Sequence, residues 1–430
     1  MAANSHSAPD PLQGAAGDRD RSKPQPKVFL HIGEPKTGTT FLQQIMWRNR
    51  AELTTQGVVL PGHHPQDHYR ASQDLRGIRK LASDPAGSWT GEWEILASQA
   101  KQAARVAVIS HELFSAADAG QAERAVTSLQ PAEVHVVLTV RDMGTLLPAE
   151  WQETVKHRNA RSWEDWLGDV IDRESISGDR RQWWFWRVHD TLAILDIWSR
   201  YVPAERIHVI ITPPRGSSSG LLWERFASLL GVAPASVDLT RARPNSSLGM
   251  PEIEFLRRLN MALPAEVPDW YYMWNVKEAV AHKLESPQAQ AERLVLPAQR
   301  AAWAEEQGEA LAAGLGETKY DLVGDLTELL PRPSGNPATS PSDQPADRVL
   351  AAAVQAAVAM VVNQYHQAFP AAKPQTGRAR GLVGRVESVV AASPRLKRTV
   401  REMSSRYPAV RRLRILIWQA LERSRARKGA

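Results

Sequence analysis

The sequence predicts an α/β protein, a three-layer sandwich with a central parallel sheet between helices. Two observations lead there. Short apolar runs of strand length recur along the first half of the chain: Val28–Ile32, Val58–Leu60, Val106–Ile109, Val134–Val140 and Ile207–Thr212. Segments with helical spacing separate them, and strands alternating with helices pack as a parallel sheet covered on both faces. In such sheets ligands bind beyond the carboxyl ends of the strands, so functional residues are expected just after each run.

Taken in order, Val28–Ile32 is the first strand and Phe41–Glu52 the helix after it. Val58–Leu60 is a weaker strand, stopped by Pro61-Gly62. Val106–Ile109 follows, then a helix at Ala122–Leu129, the strand Val134–Val140 and a helix at Trp183–Tyr201. Ile207–Thr212 leads to the helix Leu221–Leu230. Pro251–Leu263 and Pro297–Leu315 read as helices, and Tyr320–Leu330 closes the domain. The expected organisation is a disordered N-terminus at 1–26, an α/β domain at 27–331, a linker at 332–346, a helix at 347–369, a second linker at 370–384 and a basic amphipathic helical tail at 385–430.

Composition narrows the chemistry. The 430 residues include no cysteine, which removes disulfides, thiolate zinc sites and cysteine nucleophiles. The N-terminus has no apolar core of signal-peptide length, and no unbroken run of about 18 apolar residues occurs, so the expectation is a cytoplasmic protein without a membrane-spanning helix. The net charge of +6 is unevenly spread: residues 371–430 hold 16 Lys/Arg and 3 Asp/Glu, a net of +13, which leaves −7 for the rest. A charge argument for nucleic-acid binding therefore applies to the tail and not to the main domain.

The segment Val28–Thr40, VFLHIGEPKTGTT, reads as a strand, a loop and the start of a helix. Backbone N–H groups of such a loop, with the helix N-terminus behind them, suit an anion. The Walker pattern G-x4-G-K-[ST] fits at Gly33, Gly38 and Thr40, but Thr39 occupies the lysine position and the loop's lysine is Lys36. Val134–Val140 ends in Arg141-Asp142, and an arginine at a strand end can hold phosphate bidentately. Val106–Ile109 ends in Ser110-His111-Glu112, two candidate bases side by side. On a regular strand these neighbours face opposite ways, so one of them should face the cleft. Asn245 and Ser247 lie in a polar turn before a helix, where they serve either a ligand or a helix cap. Gln152, Glu153, Lys156, His157 and the cluster Trp183–Arg187 either line a second pocket or pack between helices.

The string P-K-T-G-T-T resembles the 5′-phosphosulfate loop of the sulfotransferase superfamily that uses 3′-phosphoadenosine 5′-phosphosulfate (PAPS), and the resemblance runs in order over roughly 27–331, most like bacterial members. It implies a P-loop-containing nucleoside triphosphate hydrolase-like fold, PAPS as sulfuryl donor, 3′-phosphoadenosine 5′-phosphate as product, and no metal. It implies that Lys36 meets the bridging oxygen and the 5′-phosphate, that Thr37, Gly38, Thr39 and Thr40 cradle that phosphate, and that Arg141 binds the 3′-phosphate. The catalytic base is then Glu112 or His111, with Glu112 preferred, and Asn245 and Ser247 belong to a loop over the adenosine. Two positions depart from the family's pattern: Met143 stands for a proline, and Ala149 for a serine that would also hold the 3′-phosphate. The acceptor is open to a small molecule, a lipid or a carbohydrate. A P-loop kinase or NTPase, and a catalytically silent interaction protein of the same fold, remain as alternatives.

In the tail, Leu413, Leu416, Ile417, Ala420 and Leu421 follow one helical face, surrounded by arginines with Trp418 alongside. This pattern fits a helix on an anionic membrane, a helix docked on a partner, a polyanion-binding arm, or a helix packed on its own domain.

Overall fold

The computed structural model describes residues 25–78, 89–172, 180–218, 220–242, 248–281, 284, 293–332 and 340–368. The chain divides into two units, one of 1–262 with 286–344 and one of 263–285 with 345–430.

The first unit is built on six strands: β1 (Lys27–Gly33), β2 (Val58–Val59), β3 (Val106–Ser110), β4 (Glu133–Val140), β5 (Ile207–Ile211) and β6 (Asp321–Val323). Their order is β2-β3-β1-β4-β5-β6 and every pairing is parallel. The fold class is the α/β architecture expected. β1 lies between β3 and β4, in register Leu30↔Ile109 and Leu30↔Val136. The chain adds β3 on one side of β1 and β4 on the other, so the ends of these three strands form the crevice where ligands bind in this architecture.

Around the sheet run α1 (Thr39–Arg48), α2 (Arg50–Thr55), α3 (Pro65–Leu75), α4 (Glu92–Lys101), α5 (Ala119–Leu129), α6 (Met143–Lys156), α7 (Trp163–Ile171), α8 (Arg180–His189), α9 (Thr191–Ser199), α10 (Leu221–Leu230), α11 (Met250–Ala262) and a further helix, Ala301–Gly316. Alternation along β1 sends Val28, Leu30 and Ile32 to one face and Phe29 to the other. The first face packs with Trp93 and Leu96 of α4, Ala122 and Leu129 of α5 and Trp198 of α9. The second packs with Leu42 and Ile45 of α1 and with Trp223 and Phe226 of α10.

Several boundaries differ from the sequence expectation, each for a local reason. Trp183–Tyr201 is two helices, because Asp190 leaves helical geometry and accepts from Ala193 N–H to cap the second. Phe41–Glu52 likewise divides at Asn49, whose side-chain amide donates to the Ile45 carbonyl. The segment Tyr320–Leu330 supplies β6, three residues that are exposed or half-buried and so leave no apolar run to read. Arg225 of α10 pins that edge, donating to both carboxylate oxygens of Glu328 at 2.6 and 2.9 Å and to the Ile211 carbonyl.

In the second unit, a short helix at Asp269–Tyr272 continues as a π-helix, Met273–Ala281, and packs against a long helix, Ala346–Ala368. Within Ala346–His366 an 18-residue window has a mean hydropathy of 1.4 and is 17% buried, so by length and composition this helix could cross a membrane. This revises the expectation of no such helix: Gln355, Asn363 and Gln364 interrupt the apolar run but leave its average high. The N-terminus up to residue 24, the stretch 333–339 within the expected linker, the linker 370–384 and the tail 385–430 lie outside the described residues.

Candidate active site

The loop between β1 and α1 is shaped by left-handed residues: Gly33 at φ 101°, Lys36 at φ 60° and Gly38 at φ 93°. Gly33 is required by contact as well as by φ, since a Cβ there would come 2.8 Å from the Glu112 Cα. A Cβ on Gly38 would run into Leu222 of α10. The turn thus needs glycine at both ends and lets its backbone approach a ligand.

A chain of hydrogen bonds fixes the loop to the sheet. The Ser110 hydroxyl donates to His31 Nδ1 at 2.8 Å, and His31 Nε2 reaches the Thr139 hydroxyl at 3.4 Å. Thr139 donates to Thr37, and the Thr37 hydroxyl donates to the Glu34 carbonyl. This direction requires a neutral His31 with its proton on Nε2. Burial supplies that, pulling the imidazole down to about 4 although Glu112 pushes back. Thr37 is completely buried, and its hydroxyl is taken up within the loop. Thr39 is also buried, whereas Thr40 is exposed.

Lys36 Nζ donates to Glu153 Oε2 of α6 at 2.6 Å. Burial acts to neutralise this ammonium, but the carboxylates of Glu153, Glu150 and Glu112 outweigh it and hold its pKa above the usual lysine value. Behind the loop, His189 of α8 sits between Glu34 and Glu150, at 3.4 and 3.6 Å, the second a charge contact beyond hydrogen-bond length. Burial opposes its charge, yet the two carboxylates push it up to about 9, so the imidazole is cationic. The other carboxylate oxygen of Glu34 accepts from the Thr191 hydroxyl. The loop's own acid is therefore fixed by α8 and α9.

The two candidate bases part company after β3. Glu112 accepts from Gln43 Nε2 of α1 at 3.1 Å, abuts Gly33 and feels the Lys36 charge. Its burial would raise its pKa, but His111, the start of its own helical turn, Gln43 and Lys36 hold it below the usual carboxylate value. His111 turns towards Tyr69, ring centroids 5.4 Å apart, and its Nδ1 accepts from Leu113 N–H. With Nδ1 engaged, a neutral His111 carries its proton on Nε2 and has no lone pair to offer. Burial keeps it neutral, and the nearby Arg76 adds to that effect. The structure brings Glu112 and not His111 to the loop between β1 and α1.

Arg141 follows β4, and its Nη1 donates to the Lys36 carbonyl at 2.8 Å. Burial lowers its pKa to about 10; Asp142 opposes that, and Arg215 adds repulsion. Arg141 also lines a cavity of about 230 Å³ with Gly38, Phe41, Thr212, Arg215, Ser217 and Ser218. Arg215 makes no hydrogen bond or ion pair among the described residues. Met143 and Ala149 lie on α6, whose N-cap is Asp142, accepting from Thr145 N–H at 2.8 Å. Asn245 and Ser247 lie outside the described residues.

Sequence reasoning missed the lysine's partner and the buried imidazolium. Glu153 reads from the sequence as lining a second pocket or packing between helices, and its pairing with Lys36 spans 117 positions. His189 is hidden in the aromatic stretch of α8, where Phe185 lies against Trp166 and His189, and Trp186 donates to the Val170 carbonyl. Gln152 and Lys156 are buried on α6. Arg215 carried no motif and is recognised only through the cavity it shares with Arg141.

No family model and no curated protein matches the chain. Among solved structures it is similar to a sulfotransferase from Alicyclobacillus acidocaldarius, at 15% identity over 56% of this chain and 94% of that one, with a TM-score of 0.32.

Proposed function

We propose that the chain is a PAPS-dependent sulfotransferase that delivers a sulfuryl group to a hydroxyl or amine of a small-molecule, lipid or carbohydrate acceptor. The observation that carries this reading is the dual position of Arg141, whose guanidinium holds the Lys36 carbonyl of the phosphate loop while facing the neighbouring cavity. Anion-binding features thus stand at two joined places, as a nucleotide with phosphates at both ends requires.

The residues present fit that nucleotide. Backbone N–H groups of Thr37–Thr40 and the start of α1 suit the 5′-phosphate. Arg141 and Arg215, with Ser217 and Ser218, suit the 3′-phosphate, and the last three supply donors that Ala149 lacks. When bound, PAPS would supply the sulfuryl group and a leaving phosphate. Lys36 holds positive charge where that phosphate's charge would grow, and Glu112 accepts the proton of the attacking hydroxyl or amine. A kinase reading is disfavoured because Thr39 holds the Walker lysine position and Asp142, the acid that follows β4, caps α6 through Oδ1.

The test is thermal stabilisation by 3′,5′-ADP, expected in the absence of metal and weaker or absent with ATP and Mg²⁺. A preference for ATP-Mg²⁺ overturns the proposal. For the activity itself, Lys36→Ala is expected to lower sulfuryl transfer by about 10²–10³-fold, the range seen when one charge-stabilising group is removed.

A further inference from the structure

We propose that the second unit is a docking surface for an anionic lipid bilayer, with a patch of aromatic side chains inserting at the headgroup level and the exposed apolar stripe of the long helix adding to the contact. This inference does not depend on the choice of sulfuryl donor.

The exposed apolar side chains are concentrated there. Nine large ones are exposed among the described residues, and five lie in this unit: Trp270, Tyr271, Trp274, Leu350 and Met360. Trp274 is 63% exposed and Leu350 61%. Trp270, Tyr271 and Trp274 follow i, i+1, i+4 and so share one side of their helical segment, while Tyr272, Val276 and Val280 turn the other way and are buried. On the long helix Val349, Ala352 and Ala356 are buried at i, i+3, i+7. A separate stripe, Leu350, Val354, Ala357 and Val361, stays exposed or half-buried. One side of that helix is therefore committed to protein and another is apolar and, among the described residues, exposed or half-buried.

The partner is identified by chemistry. Trp and Tyr favour the boundary between hydrocarbon and water, where an apolar ring and a polar edge are both satisfied. A helix already packed along one side suits lying on a bilayer better than crossing it. The same unit continues into residues 371–430, whose net charge of +13 is complementary to anionic lipid and repelled by cationic surfaces. A second copy of the chain would bring that charge against itself, which disfavours self-association as the cover for the patch.

The experiment is co-sedimentation of the full chain with phosphatidylserine–phosphatidylcholine vesicles and with phosphatidylcholine vesicles. Binding to the first at least tenfold tighter than to the second is expected, as is at least a tenfold loss in the triple variant Trp270→Ser, Tyr271→Ser, Trp274→Ser. Leu350→Glu should weaken binding in the same direction. All four positions are exposed, so an unchanged melting temperature verifies that the variants fold. An unchanged response to 3′,5′-ADP separates this result from the donor assignment. The proposal is overturned if the wild-type chain stays in the supernatant, if the triple variant sediments like the wild type, or if the aromatic residues instead control a dimer detected by light scattering.

Discussion

Lys36 combines a left-handed backbone with an ammonium already engaged by Glu153, so its geometry is set before any anion arrives. Glu112 and His111 are separable by experiment. Glu112→Gln should remove most transfer, whereas His111→Asn, which keeps a side-chain oxygen to cap the following turn, should stay within a few-fold of wild type. The reverse ranking would assign the base to His111. Since Glu112 is held below the ordinary carboxylate value, the acid limb of kcat/KM is expected below pH 4.5. His189 makes a stability prediction with a defined sign. Its pKa is raised from 6.5 to about 9 on folding, so its contribution is complete below pH 6.5 and is lost as pH rises through 9. The size is on the order of 3 kcal/mol, read as a falling urea midpoint across that window. In His189→Ala that slope should flatten, and the two carboxylates left without a cation should cost about 3–5 kcal/mol.

At the level of elements, the close approach of the helix Ala301–Gly316 to the turn Leu326–Leu329 depends on Gly308. A Cβ there would come 2.6 Å from the Leu329 carbonyl oxygen. Gly308→Ala gains up to about 1 kcal/mol in helix propensity, but the clash with backbone should cost about 1–3 kcal/mol, so a net loss in urea midpoint is expected. A net gain would mean that the turn yields. These elements also bear on what could be read in the chain beforehand. Strands β1, β3, β4 and β5 were legible because both faces are covered and most of their side chains are apolar, with His31, Ser110, His135, Thr139 and His208 the buried polar exceptions. β6 was not, because an edge strand of three residues needs no apolar run. The β1–α1 turn and the place of Arg141 at the end of β4 were legible from motif and position. Glu153, Glu150, His189 and Arg215 were not, because each acquires its meaning from a partner more than thirty positions away.

For the molecule as a whole, ligand and fold should reinforce one another. A nucleotide that fills the cavity and the loop joins β1, β4, β5 and α10 at their functional ends. At a concentration of 100 Kd, 3′,5′-ADP should add about 2.7 kcal/mol to the unfolding free energy, measurable as a rise in Tm that scales with the logarithm of ligand concentration. The hydrogen bond from Arg141 to the Lys36 carbonyl adds one more consequence. Because a single guanidinium touches both the cavity and the backbone of the loop, the two ends of the proposed nucleotide should be read jointly and not as independent handles. A fragment carrying only one of the two phosphates should bind less tightly than half the free energy of the whole predicts.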